Sequence, residues 1–135
     1  MPNKYPTKEE ILAVSPAFSK EIIKAAIEMK RSWIENRDDH EMRFRAIYDF
    51  LHKASVIYGK PEILVSRRGE YFYAPDSHLI AIGDKLSIIS SLHELGHHLF
   101  GSSELEACRF SVHLFKQVFP RAYAKLTWDG HMLKK

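Results

Sequence analysis

Two histidines four positions apart, with a glutamate directly after the first, constrain this chain more than any other feature. The run His93-Glu94-Leu95-Gly96-His97 lies where Leu86, Ile88, Ile89, Leu92, Leu95 and Leu99 recur at helical spacing and define an apolar face beside the histidines. On an α-helix, residues i and i+4 sit on one face a turn apart, so both imidazoles can reach a single ion without bending the backbone. Glu94 falls about 60–100° around the helix, beside such an ion rather than on it. From there it can take a proton from water, the general-base role that this spacing supports. Gly101 supplies a C-cap just past the second histidine. The chain therefore has to half-bury this helix, with one face in the core and the histidine face on a cleft. The plainer reading is a pair of surface histidines on an amphipathic helix, and the ordered apolar face argues against it.

A catalytic zinc site takes three protein ligands and keeps one position open. Downstream candidates are His98, Glu104, Glu106, His113 and His131. His98 points about 100° away from His97 and cannot share its ion from the same helix. After Gly101, the run Ser103-Glu104-Leu105-Glu106 reads as a capping box that opens a new helix, with Ser103 at the N-cap and Glu106 returning to the cap amide. That leaves Glu104 free to face the metal. Ala107, Cys108, Ser111 and Phe115 share its side, and small residues there let two helices approach closely. His113 falls on the opposite side. The residues favour Glu104 as third ligand, with Glu106 and His131 as the alternatives.

The segment from His93 to Gly101, followed by Glu104-Leu105-Glu106-Ala107-Cys108-Arg109-Phe110-Ser111, resembles the paired motifs of ImmA/IrrE-type metallopeptidases. In that family an H-E-L-G-H helix precedes a glutamate, with an alanine three positions on. The resemblance covers roughly residues 63–119. It implies His93, His97 and Glu104 as zinc ligands, Glu94 as base, and a minimal gluzincin-like plan in which an edge strand beside the metal pairs with an extended substrate. Several such proteins act on repressors, so a transcriptional repressor is the implied protein substrate. Cys108 stands where the family usually carries Asn or Asp.

At 135 residues the chain has the size of one domain, and 45% hydrophobic with 27% charged residues is ordinary for a globular protein. We expect a single domain over 1–135, with 1–14 and 127–135 the segments most open to flexibility. No apolar run reaches the length of a membrane span, the first ten residues carry no signal-peptide core, and Cys108 is alone, which together favour a cytoplasmic setting without disulfides. Twenty Lys+Arg against 17 Asp+Glu give +3, a mild excess that suits an acidic partner but is no nucleic-acid signature. Arg67-Arg68 and Lys134-Lys135 read as solvated charges.

The first half of the chain reads as helical. Ser15-Pro16 offers an N-cap and N1 for a helix whose apolar side is Phe18, Ile22, Ile23, Ala26, Ile27 and Ile34. Asp38-Asp39-His40-Glu41 offers a capping box for a helix through Phe44, Ile47, Tyr48, Leu51 and Ile57, ending at Gly59-Lys60-Pro61. Then come three β-prone runs, Ile63–Val65, Tyr71–Tyr73 and Leu79–Ile82, separated by Arg67–Glu70 and Pro75–Ser77 and read as a hairpin plus a third strand. The expected fold is α+β and zincin-like: N-terminal helices, a small three-stranded sheet, the His93/His97 helix, and a ligand helix. Tyr73, His78 and His131 are candidates to stabilise an oxyanion. The aromatics around Tyr71-Phe72-Tyr73 and Trp128 read first as packing and second as groove lining; Trp33 reads as packing, and the tail from Trp128 is able to fold over the cleft. Zinc-dependent peptide hydrolysis is the expected activity. The rival reading is a non-catalytic zinc-binding regulatory module, against which Glu94 speaks, because metal storage needs no base.

Overall fold

The structure, a computed structural model, describes residues 5–55, 59–66 and 68–134. Helix α1 (Lys8–Ala13) opens on a complete capping box: Thr7 Oγ1 accepts from the Glu10 amide at 3.1 Å, and the Glu10 carboxylate accepts from the Thr7 amide at 2.9 Å. Six residues cannot hold a helix in isolation. Docking supplies the rest, with Ile11 fully buried against Cys108 and Val112. The Arg109 guanidinium also donates to the Glu10 carbonyl at 2.7 Å, and His113 Nε2 donates to the Ile11 carbonyl at 2.9 Å. The polar composition of residues 1–14 is thus overridden by tertiary contact over Lys8–Ala13.

Helix α2 (Lys20–Glu35) starts at Ser19, whose Oγ accepts from the Ile22 amide at 3.2 Å, four residues after the Ser15 start that sequence suggests. The later start lets Phe18 turn edge-on to Phe110, with ring centroids 5.8 Å apart. Its buried face is Ala25, Ala26 and Met29, whereas Ile27 and Ile34 are 51% and 53% exposed. Ile27 follows the buried Ala26 and Ile34 follows the half-buried Trp33, each step about 100° around the helix, so these two isoleucines leave the expected apolar side. Helix α3 (His40–Ala54) is capped by Asp39, which accepts from the Met42 amide at 3.1 Å. That moves the cap one residue past Asp38, puts Glu41 at N2, and leaves the expected box unclosed. Ile57, Arg67 and Lys135 lie outside the described residues.

Strands β1 (Glu62–Ser66), β2 (Phe72–Ala74) and β3 (Leu79–Gly83) form a sheet in the order β1-β3-β2. The hairpin joins β2 and β3, antiparallel with Tyr73 opposite Ile80, while β1 runs parallel on the other side with Leu64 opposite Ala81. β3 has the most continuous apolar run and takes the centre, with Ile80, Ala81 and Ile82 all at 0% exposure. Helices α4 (Ile88–Phe100) and α5 (Glu104–Val118) follow, then a short α6 (Pro120–Ala124) and a hairpin of β4 (Thr127–Asp129) and β5 (Met132–Lys134). The core lies between α2, α3, β3, α4 and α5, centred on Ile47, Phe50, Leu51, Leu92, Leu95 and Leu114. This is the expected α+β order, with the His93/His97 helix followed by the Glu104 helix. No helix among the described residues is long and apolar enough to cross a membrane.

Candidate metal centre

Helix α4 is pinned at both ends before it presents a functional group. Ser87 Oγ caps the Ser90 amide at 3.2 Å, and the Tyr71 hydroxyl accepts from the Ser87 amide at 2.8 Å while donating to the Lys85 carbonyl at 2.6 Å. Leu92, Leu95 and Leu99 are buried, so His93 and His97 face outward a turn apart, their rings 4.9 Å between centroids. At the C-terminal end Gly101 takes φ 85° and ψ −150°, a conformation that side chains rarely allow. Its amide donates to the His97 carbonyl at 2.9 Å, and its own carbonyl accepts from His97 Nδ1 at 2.8 Å. That second bond places the proton on Nδ1 and leaves Nε2 with a free lone pair.

The second helix brings the third group. Ser103 Oγ accepts from the Glu106 amide at 3.1 Å, but the return bond from the Glu106 carboxylate is not made, so the expected box is half formed. Glu106 is exposed, and Glu104 turns toward the histidines. The close approach is made at Gly96: a Cβ there would lie 2.9 Å from Ala107 Cα and 3.2 Å from the Ala107 carbonyl oxygen. A glycine on one helix and an alanine on the next therefore set the separation that lets Glu104 reach His93 and His97.

The convergence is tight. Glu104 Oε1 lies 2.7 Å from His97 Nε2, Glu104 Oε2 lies 3.3 Å from His93 Nε2, and ligand atoms of all three residues fall within 4.8 Å of one another. Bonds to zinc of about 2.0–2.1 Å imply ligand–ligand edges of about 3.3 Å in a tetrahedron, close to the His93–Glu104 separation. Two imidazole nitrogens and one carboxylate oxygen fit such an ion in both number and chemistry. Burial opposes ionisation of Glu104, but His93 and His97 outweigh it and hold the carboxyl below its ordinary range. Burial lowers the His93 pKa against the opposing pull of Glu104, which favours the neutral ring that a metal needs.

Glu94 is different. It is only 9% exposed, and among the described residues its carboxylate has no hydrogen-bond partner. Burial raises its pKa from 4.5 to about 7, with His97 pulling down and Glu104 pushing up. It opens onto two cavities. One, about 430 Å³, runs over β2 past Tyr71, Phe72 and His97; the other, about 340 Å³, lies against Cys108, Val112 and Leu133.

The remaining sequence candidates do not join the cluster. His98 Nε2 donates to the Gly59 carbonyl at 2.8 Å, which leaves its Nδ1 to accept from the Tyr73 hydroxyl at 3.0 Å; the same hydroxyl lies 3.2 Å from His78 Nδ1. Tyr73 and His78 thus engage each other and His98, clamping β2 to α4. His113 is spent on α1, as its opposite placement on α5 suggests. His131 lines the cavity beside His93 and Glu94 and stacks on Tyr5 at 4.3 Å, outside the ligand set. Trp128 packs with Ile11, Cys108 and Val112, whereas Tyr71, Phe72 and Tyr73 line the cleft. Sequence reading missed the Gly101 carbonyl behind His97, the Cys108 sulfur 3.9 Å from His93 Nδ1, and the wall formed by Met132 and Leu133. The first had a signal in the C-cap glycine itself and the third in the turn glycine Gly130; the second had none.

No family model, curated protein or solved structure matches the chain. The fold and the His93/His97/Glu104 cluster are zincin-like and agree with the gluzincin plan of two helical histidines and a glutamate from the next helix.

Proposed function

We propose that this chain forms one metallopeptidase domain of the ImmA/IrrE kind, with His93, His97 and Glu104 holding zinc and Glu94 acting as general base. The observation that carries the reading is the placement of a carboxylate that opens on the cleft without a protein hydrogen-bond partner among the described residues, one residue from a two-histidine, one-glutamate cluster. Two imidazoles and a carboxylate account for a metal; Glu94 beside them accounts for hydrolysis.

Held by His93, His97 and Glu104, zinc would supply Lewis acidity toward a substrate carbonyl and water. The protein does the rest. Gly101 holds His97 in the correct tautomer. Glu94 accepts the proton of the attacking water at a carboxylate oxygen and delivers it to the leaving amide nitrogen, so its own charge is restored each turnover. β2 pairs with β3 along one edge only among the described strands, and its other edge offers main-chain groups to an extended peptide. Tyr71 and Phe72 flank that edge at the mouth of the cleft.

A transcriptional repressor is the protein substrate that the family resemblance suggests, and the mild positive charge suits an acidic one. The test is digestion of a repressor encoded beside the gene by zinc-loaded wild type, by Glu94→Gln and by chelated protein. Wild type should cut, while Glu94→Gln keeps its zinc and loses cleavage by roughly 10²–10⁴-fold. Zinc binding without cleavage of any protein would leave a metal-binding regulatory module.

A further inference from the structure

A third cavity lies beyond the metal centre. At about 630 Å³ it is larger than either cavity at Glu94, and its walls are apolar: Trp33, Leu86, Phe115, Phe119 and Leu126. Its charged lining is entirely cationic, Arg43, Lys125 and Lys134, with no Asp or Glu among the lining residues. Arg43 stacks on Trp33 at 4.1 Å and uses its Nε on the Trp33 carbonyl at 2.9 Å, which leaves its terminal nitrogens for other acceptors. Lys125 makes no ion pair among the described residues. Lys134 pairs with Asp129 at 2.9 Å, an exposed contact of the kind that yields readily to a competing carboxylate.

This basic bay adjoins the cleft. The cavity over β2 and the one beside Cys108 share Tyr71, His93 and Glu94; the latter shares Ile89, Ser90 and Leu133 with the bay. Along α4, His93 to Ile89 is about 6 Å and His93 to Ser87 about 9 Å at about 1.5 Å per residue. An extended peptide covers that in about two to three residues.

We infer that the bay receives the flank of the peptide substrate, and that it selects an acidic, apolar-rich segment carrying a carboxylate side chain about three residues from the scissile bond. The inference rests on the peptidase reading for the identity of the ligand. Its physical basis is separate: a large apolar-walled trough whose lining charges all have one sign, sharing Ile89, Ser90 and Leu133 with the cavity at Glu94. Charge complementarity chooses acidic side chains, and the aromatic and aliphatic walls choose apolar neighbours. Leu133 of β5 lines both spaces and Lys134 lines the bay, which makes the C-terminal hairpin part of the recognition surface.

The test uses zinc-loaded Glu94→Gln protein, in which binding is read whether or not the wild type cleaves. The probes are acetyl-Leu-Leu-Ala-Glu-Leu-Glu-amide and its Gln counterpart, titrated into isotope-labelled protein and followed by amide and indole shifts. The Glu peptide should perturb Lys125, Leu126, Leu133, Lys134 and the Trp33 indole, and bind about tenfold tighter than the Gln peptide at low salt. Joint substitution Lys125→Glu and Lys134→Glu, both on exposed side chains, should erase or invert that preference while α4 shifts stay in place. Equal affinity for both peptides, or perturbations confined to another face, would overturn the inference. Failure of the peptidase reading has a different signature: the acidic peptide binds in the bay, and wild-type protein cuts nothing. Cleavage of peptide mixtures with no acidic enrichment on either side of the cut would sink the bay while sparing the peptidase.

Discussion

Glu94 should make the metal-depleted protein less stable than a neutral version of itself. Burial lifts its carboxyl from 4.5 to about 7, so the folded state resists the charge that the unfolded chain accepts freely. Below pH 4.5 the group is protonated in both states, and no penalty applies. As pH rises from 4.5 the unfolded chain loses its proton while the folded protein keeps it, and stability falls until the folded group also ionises near 7. At about 1.4 kcal/mol per pH unit, the rise from 4.5 to about 7 corresponds to roughly 3 kcal/mol at pH 8, falling below about 1 kcal/mol at pH 5. The amide introduced by Glu94→Gln would bring a smaller desolvation cost of its own, so the expected net gain for that variant is about 2–3 kcal/mol at pH 8. For a domain of this length that is about 7–10 °C in Tm. The assay is thermal and urea unfolding of both proteins in excess chelator at pH 5, 6, 7 and 8. A stability difference that is flat with pH, or a wild type more stable than Glu94→Gln at pH 8, would refute the buried-charge argument. The residue proposed as general base then costs folding energy, as preorganised sites commonly do.

Three further outcomes follow from the geometry around it. Glu104→Gln should weaken zinc affinity by about 100-fold or more, whereas Glu106→Gln should change it little, because Glu106 is exposed and outside the cluster; competition against a chelating dye reads both, and equal losses would reverse the assignment. Gly96→Ala should cost about 1–3 kcal/mol in urea unfolding and also weaken zinc binding, since the added methyl meets α5 backbone 2.9 Å away and pushes Glu104 from the histidines; a variant with normal stability and affinity would show that the helices are free to part. Cys108→Asn should tighten zinc binding by up to about tenfold, because an amide oxygen accepts from His93 Nδ1 far better than a sulfur at 3.9 Å; unchanged or weakened affinity in a folded variant would count against an outer-shell role for Cys108.

What sequence could reveal depended on whether local or tertiary physics decided. The spacing of His93 and His97, the small residues facing Glu104 and the apolar faces of α4 and α5 are helix geometry, and they were legible as such. Caps were legible in kind but not always in place. Ser103 is where its pattern puts it, but Ser19 displaces Ser15 and Asp39 displaces Asp38. Several adjacent residues could cap each helix, and packing such as Phe18 on Phe110 chose among them. Strand order was not legible, because turn-forming residues stand on both sides of β2, Gly69 before it and Pro75-Asp76-Ser77 after it, and nothing local says which junction closes the hairpin. The terminal hairpin did carry a signal. Asp129 and Met132 pair across a two-residue loop led by Gly130 at φ 63°, the glycine-bearing tight turn that hairpins favour.

The two histidines are held unequally, and the inequality follows the architecture. His97 is fixed by the Gly101 carbonyl at 2.8 Å, a partner supplied by the very turn that ends its own helix. Behind the cluster, His93 Nδ1 has only the Cys108 sulfur at 3.9 Å among the described residues, supplied from α5 and therefore dependent on the approach at Gly96 and Ala107. Burial and the Glu104 charge raise the Cys108 pKa to about 12, so the thiol stays neutral and offers His93 no charge-assisted bond. His97 and Glu104, in contact at 2.7 Å, form the rigid half of the site. His93 forms the adaptable half, on the side where the cavity opens toward Leu133 and the basic bay. If His93 is a ligand and a peptide flank lodges there, its occupancy should shift His93 resonances more than those of His97, which the Gly101 carbonyl holds; equal shifts in the two rings would count against the inequality.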